Sequence, residues 1–165
     1  MKVLLLTIFL LFSFSLPAQE GPTVGSKLRS LSGKDMITGK LLDIEFSNSP
    51  AYTLFHFWQS GSDSCAKEFS ALEKFVQQYK AKLVAYGFPY EFKQTIPEAK
   101  ELIAKHKLNW AQLLQYRQAG AAGSNVIDVL VIKEFPTYIL LDRDGVILVR
   151  SNDLDDVEAL LVKIK

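Results

Sequence analysis

The stretch Thr53-Leu54-Phe55-His56-Phe57-Trp58 restricts the fold more than any other, because a strand-like run here gives way within a few residues to a helical one. It is β-branched and aromatic over the length of a strand. The turn cluster Ser47-Asn48-Ser49-Pro50 precedes it, and the small polar run Ser60-Gly61-Ser62-Asp63-Ser64 succeeds it. From Cys65 the apolar period changes: Cys65, Phe69, Leu72, Phe75, Val76 and Tyr79 recur at three- and four-residue steps, one face of a helix. Lys82 to Phe88 then reads as a second buried strand. Two strands joined through a helix form a parallel pair, so this part of the chain is a β-α-β unit.

The second half has a different order. Thr95-Ile96-Pro97-Glu98 matches a capping box with proline in the first turn, and opens a helix to about His106. Asn109 to Leu114 suggests a short extended piece, Gln118 to Asn125 a small-residue loop, and Ser124-Asn125 the cap of a short helix through Val131. Tyr138 to Leu141 is a strand, Asp142-Arg143-Asp144-Gly145 a hairpin turn, and Val146 to Arg150 the returning strand. Leu154, Val157, Leu160, Leu161 and Ile164 line one face of a last helix. Before Thr53, Gln19 to Lys34 reads as a lead-in and Asp35 to Phe46 as a hairpin turning at Thr38-Gly39-Lys40. A β-α-β half joined to a β-β-α half gives an α/β fold, a mixed central sheet flanked by helices, with an N-terminal β-hairpin extension. That is the thioredoxin architecture.

With 165 residues, 48% of them hydrophobic, the chain suffices for one domain and is short for two. A net charge of +1 without any basic run argues against a nucleic-acid surface. Met1-Lys2 before apolar Val3 to Leu16 and then Leu16-Pro17-Ala18 reads as a signal peptide over residues 1–18, cleaved near Ala18. The expectation is an exported domain over residues 19–165, periplasmic or extracellular, with no membrane span after cleavage. A retained N-terminal anchor is the alternative, although the apolar run is short for a span of about 20 residues. No cysteine lies directly after the apolar run, so lipidation there is excluded. The single cysteine, Cys65, has no partner for an internal disulfide. Two histidines and one cysteine give no metal-site spacing, and no cofactor is expected.

The segment TLFHFWQSGSDSCAKEF resembles the strand, active-site loop and helix start of TlpA/ResA-type thioredoxin-like proteins, grouped with the AhpC/TSA redoxins. KHKLNWAQLL and SNVIDVLVIKEFPTYILLDRDG extend the resemblance over most of the chain after the signal segment. In that family a C-x-x-C comes after the Phe-Trp that ends the strand. Here the motif is Ser62-Asp63-Ser64-Cys65, so Cys65 takes the resolving position and Ser62 the nucleophile's. The resemblance implies that Pro136 is the cis-proline beside the active site and that Glu68 is the acid near the dithiol. His56 takes the place of the buried acid of thioredoxins. Candidate catalytic residues are thus Cys65, Ser62 and Glu68, and candidate substrate-binding residues are Trp58, Phe135 and Pro136.

Dithiol exchange needs two sulfurs, a thiolate that attacks and a thiol that resolves the mixed disulfide. A hydroxyl at position 62 stays protonated and forms no disulfide, so the two-cysteine cycle is absent. Each candidate also has a plain structural role: Ser62 as helix N-cap, Cys65 as an inert core thiol, His56 as a satisfied core histidine. Glu68 would be a first-turn carboxylate and Trp58 a packing residue at the rim. Two function classes result. One is a monothiol oxidoreductase acting through Cys65 on protein thiols or disulfides. A peroxiredoxin-like variant, in which Ser62-x-x-Cys65 stands for [T/S]-x-x-C, is a weaker form because Trp58 replaces that pattern's proline. The other is a redox-inactive binding module holding an extended peptide in the groove beside Pro136.

Overall fold

The structure, a computed structural model, describes residues 21–117 and 126–164. The signal-peptide segment, the small-residue loop and the cap at Ser124-Asn125 lie outside those residues. Strands β1 (Leu31–Lys34) and β2 (Leu41–Ile44) form an antiparallel hairpin. Then come β3 (Tyr52–Trp58), α1 (Asp63–Tyr79), β4 (Leu83–Glu91), α2 (Ile96–Lys105), β5 (Gln115–Tyr116), α3 (Val126–Val129), β6 (Thr137–Leu141), β7 (Ile147–Ser151) and α4 (Leu154–Lys163). The main sheet has the order β5-β4-β3-β6-β7. β3 runs parallel to β4 and antiparallel to β6, the mixed sheet expected. No helix of the described residues is long and apolar enough to cross a membrane.

Alternation along β3 divides the core. Phe55 and Phe57 point to one face, packed with Phe88, Ile139, Leu141, α3 and the hairpin residue Ile44. Leu54 points to the other, with Leu72, Phe75, Val157 and Leu161 of α1 and α4. Trp58, at the end of β3 on that same side, packs with Cys65 and Phe69 of α1 and Ala99 and Ile103 of α2. The site therefore sits where the parallel strands end and α1 begins, the usual location for ligands in open α/β sheets.

Several expectations are corrected. The hairpin's first strand precedes Asp35 rather than beginning there, because the Asp35 carboxylate builds the turn. It accepts from the Thr38 hydroxyl at 2.6 Å and the Thr38 N–H at 3.0 Å, while Gly39 supplies the left-handed φ of 71°. The lead-in is docked: Gly25 N–H donates to the Ile147 carbonyl at 2.8 Å and Ile147 N–H to the Ser26 carbonyl at 2.9 Å, covering the start of edge strand β7. Thr95 does not close the capping box. A 3-10 turn over Lys93–Thr95 leads directly into α2, and the Thr95 hydroxyl donates to Glu91 instead. The short strand after α2 falls at Gln115–Tyr116, with Gln112 making only a bridge to Gly87.

Candidate functional site

Ser62 is the N-cap of α1, with extended dihedrals and its hydroxyl accepting from the Cys65 N–H at 3.4 Å. The same oxygen lies 2.9 Å from the Ser64 hydroxyl, which donates to the Phe135 carbonyl at 3.2 Å. That contact ties the helix entry to the loop holding Pro136. The Phe135-Pro136 peptide bond is cis, as the resemblance implied. Asn152 closes the loop from behind, its amide donating to the Pro136 carbonyl at 2.5 Å and to the Thr137 hydroxyl at 2.9 Å. Phe135 is half-buried and stacks on Tyr90 at 5.8 Å between centroids. Ser62, Ser64, Phe135 and Pro136 thus form one rim.

Beneath the rim the chemistry is closed off. Cys65 has 0% exposure, and burial pushes its thiol pKa up. The Ser62 side chain and the Gln59 backbone pull it down, but the Glu68 carboxylate pushes it further up. The helix N-terminus does not win here. Glu68 accepts from the Tyr138 hydroxyl at 2.6 Å, and burial, with that carboxylate second, raises the Tyr138 pKa as well. Glu68 is thus brought to Cys65, but as a charge opposing the thiolate.

His56 departs from expectation. It is a core residue with 0% exposure, yet neither ring nitrogen has a hydrogen-bond partner among the described residues. A neutral imidazole carries one donor and one acceptor, and both are orphaned. The ring lies between Tyr138 at 5.2 Å and Trp58 at 6.3 Å, both nearly parallel to it, with Phe69 edge-on at 5.9 Å. Burial alone lowers its pKa to about 3. It stays neutral at any physiological pH and cannot exchange protons as a general acid or base would near neutrality.

Trp58 is not at the rim: it is fully buried, and its indole N–H donates to Gln112 Oε1 at 3.1 Å. That bond depends on Gly87, where a Cβ would collide with the same oxygen. Two further residues escaped the sequence reading. Glu91, 3% exposed at the end of β4, accepts from the Ser60 N–H at 2.5 Å and the Ser60 hydroxyl at 2.9 Å, with Thr95 completing the set. It fixes the loop entering α1. Its signal was a lone carboxylate closing the apolar strand Leu83–Glu91. Tyr138 had no local signal, since a tyrosine in a strand is ordinary.

Among the described residues no group of three or more His, Cys, Asp or Glu side chains could hold a metal ion. No protein-family model matches the chain, and no curated protein does. Solved structures do. The thioredoxin domain of a thiol-disulfide oxidoreductase from Bacteroides vulgatus is 26% identical, covers 87% of this chain and 98% of its own, and superposes with a TM-score of 0.71. A thiol:disulfide interchange protein from Bacteroides sp. is also 26% identical, over 86% of this chain and 89% of its own, with a TM-score of 0.69. A secreted Mycobacterium tuberculosis disulfide oxidoreductase shares the fold at 16% identity, over 74% of this chain and 83% of its own, with a TM-score of 0.60. The protein is a thioredoxin-fold chain similar to the thiol-disulfide oxidoreductases of the TlpA/ResA type, with Ser62-Asp63-Ser64-Cys65 at the start of α1.

Proposed function

We propose that this chain is an exported thioredoxin-fold protein that no longer runs the two-cysteine cycle and acts as a binding module for an extended peptide beside Pro136. The observation that carries the reading is the contrast at Cys65: the only sulfur that could react is fully buried with its thiol pKa raised, while the rim above it is intact. A nucleophilic cysteine needs access and a lowered pKa. Cys65 has neither, which counts against the monothiol and peroxiredoxin-like readings alike.

The rim supports peptide binding. The Phe135 N–H donates no hydrogen bond within the described residues, leaving a main-chain donor beside Pro136 for a strand-like partner. The secreted mycobacterial protein of the same fold is consistent with export, as is the sequence of residues 1–18. Insulin-disulfide reduction tests the proposal. The native protein should show no turnover above the reductant alone. Ser62→Cys should restore it, because position 62 is partly exposed at the helix N-terminus, three residues before Cys65. Turnover by the unmodified protein would overturn the reading.

A further inference from the structure

A row of side chains leads from the Pro136 loop toward the β5 edge, and nothing in the dithiol chemistry accounts for it. Phe135 stacks on Tyr90 with an interplanar angle of 16°. The Arg117 guanidinium lies 5.7 Å from the Tyr90 ring and 4.7 Å from the Phe92 ring. Tyr90 and Phe92 are two apart around the end of β4, so they share a face, while Glu91 between them turns the other way to hold Ser60. Arg117 is placed by its own backbone, whose N–H donates to the Glu91 carbonyl at 2.8 Å. One residue therefore fixes both the loop entering α1 and the cation.

Phe135, Tyr90 and Phe92 are each half-buried, and Arg117 is exposed. The guanidinium makes no hydrogen bond or ion pair among the described residues; its partners there are the two rings. A guanidinium within cation–π distance of aromatic rings still has N–H groups to offer a planar acceptor. We infer that this row is a specificity subsite for an extended peptide, selecting an acidic side chain at Arg117 next to an apolar or aromatic one on Tyr90 and Phe135. The inference rests on the peptide-groove reading above and adds the class of peptide. Charge complementarity selects the occupant: a cation with five donors and no ion pair among the described residues matches a carboxylate, and the rings beside it match an apolar neighbour.

Two fluorescein-tagged, end-blocked peptides of Gly, Ser, Val and Thr test it, one with a central Phe-Asp and its twin with Phe-Asn. At low salt the Asp peptide should bind roughly twofold to fivefold more tightly than its twin, a difference that shrinks as salt is added. Arg117→Gln should abolish the difference and leave the Asn twin's affinity within about twofold of its original value. Equal binding of the twins to the unmodified protein overturns the acid preference alone and leaves the Pro136 groove standing. Equal weakening of both twins by Arg117→Gln also overturns it, assigning Arg117 to holding β5. Absence of binding by either peptide overturns the groove and the subsite together. Self-association that Arg117→Gln abolishes would give the subsite to a second copy of the chain and overturn the inference.

Discussion

Glu91 and His56 are both polar, both buried and both within the layer beneath the α1 entry, yet they are treated in opposite ways. Both Glu91 oxygens are used: Oε1 takes the Ser60 N–H, and Oε2 takes two hydroxyls. Neither His56 ring nitrogen has a partner among the described residues, and its ring packs against the aromatic rings of Trp58, Tyr138 and Phe69. Satisfied polar groups fix geometry, whereas an orphaned polar group only costs stability. The difference separates two layers of the site. The rim is held by specific hydrogen bonds at Ser60, Ser64 and Pro136. In the floor, Cys65 is fully buried with its thiol pKa raised, and His56 has no hydrogen-bond partner among the described residues.

Breaking the satisfied side should have the larger effect. Glu91→Ala would strand the buried Ser60 N–H and lose charge-assisted hydrogen bonds, costing about 3 kcal/mol. Urea unfolding monitored by fluorescence checks this, and loosening of the loop should weaken peptide binding as well. A loss below about 0.5 kcal/mol, the range of an ordinary surface substitution, would mean the Glu91 network does not set the rim.

The orphaned side should respond to pH. The folded state keeps His56 neutral down to about pH 3, whereas the unfolded chain takes up a proton below its ordinary value of 6.5. The unfolded state therefore binds more protons between those values, and stability falls as pH drops through that window. The slope from this residue is up to about 1.4 kcal/mol per pH unit. His56→Leu should remove it. Relative to its effect at neutral pH, the variant should recover about 2 kcal/mol near pH 5. Parallel stability profiles for the two proteins would show that His56 finds a partner in solution.

The fold was largely legible in the amino-acid order. The aromatic strand before a helical stripe, the parallel return after it and the Asp142–Gly145 turn are each set by local periodicity and turn chemistry, which short segments carry on their own. The hairpin register was not, because Asp35 could as well begin a strand as cap a turn; its bonds to Thr38 make the turn, and its long-range bond to the Gln112 N–H at 3.0 Å holds it there. Thr95 illustrates the same limit: its spacing to Glu98 matched a capping box, but a carboxylate four residues earlier competed successfully for the hydroxyl. At the site, Ser62 as cap was readable from its place before the helix, and Pro136 as cis-proline followed from the family resemblance. The isolation of His56, the use of Glu91 and the placement of Arg117 over Tyr90 depend on contacts between strands far apart in sequence, where composition carries no signal.

Cys65 decides between a binding module and a monothiol, and its alkylation rate across pH, in the native and the urea-unfolded protein, is the most direct test. Burial and a raised thiol pKa predict slow labelling of the native protein even near the ordinary thiol pKa of about 8.5, with fast labelling once unfolded. Rapid native labelling, with an apparent pKa below that of the unfolded chain, would contradict the binding-module reading and return Cys65 to the role of an active monothiol.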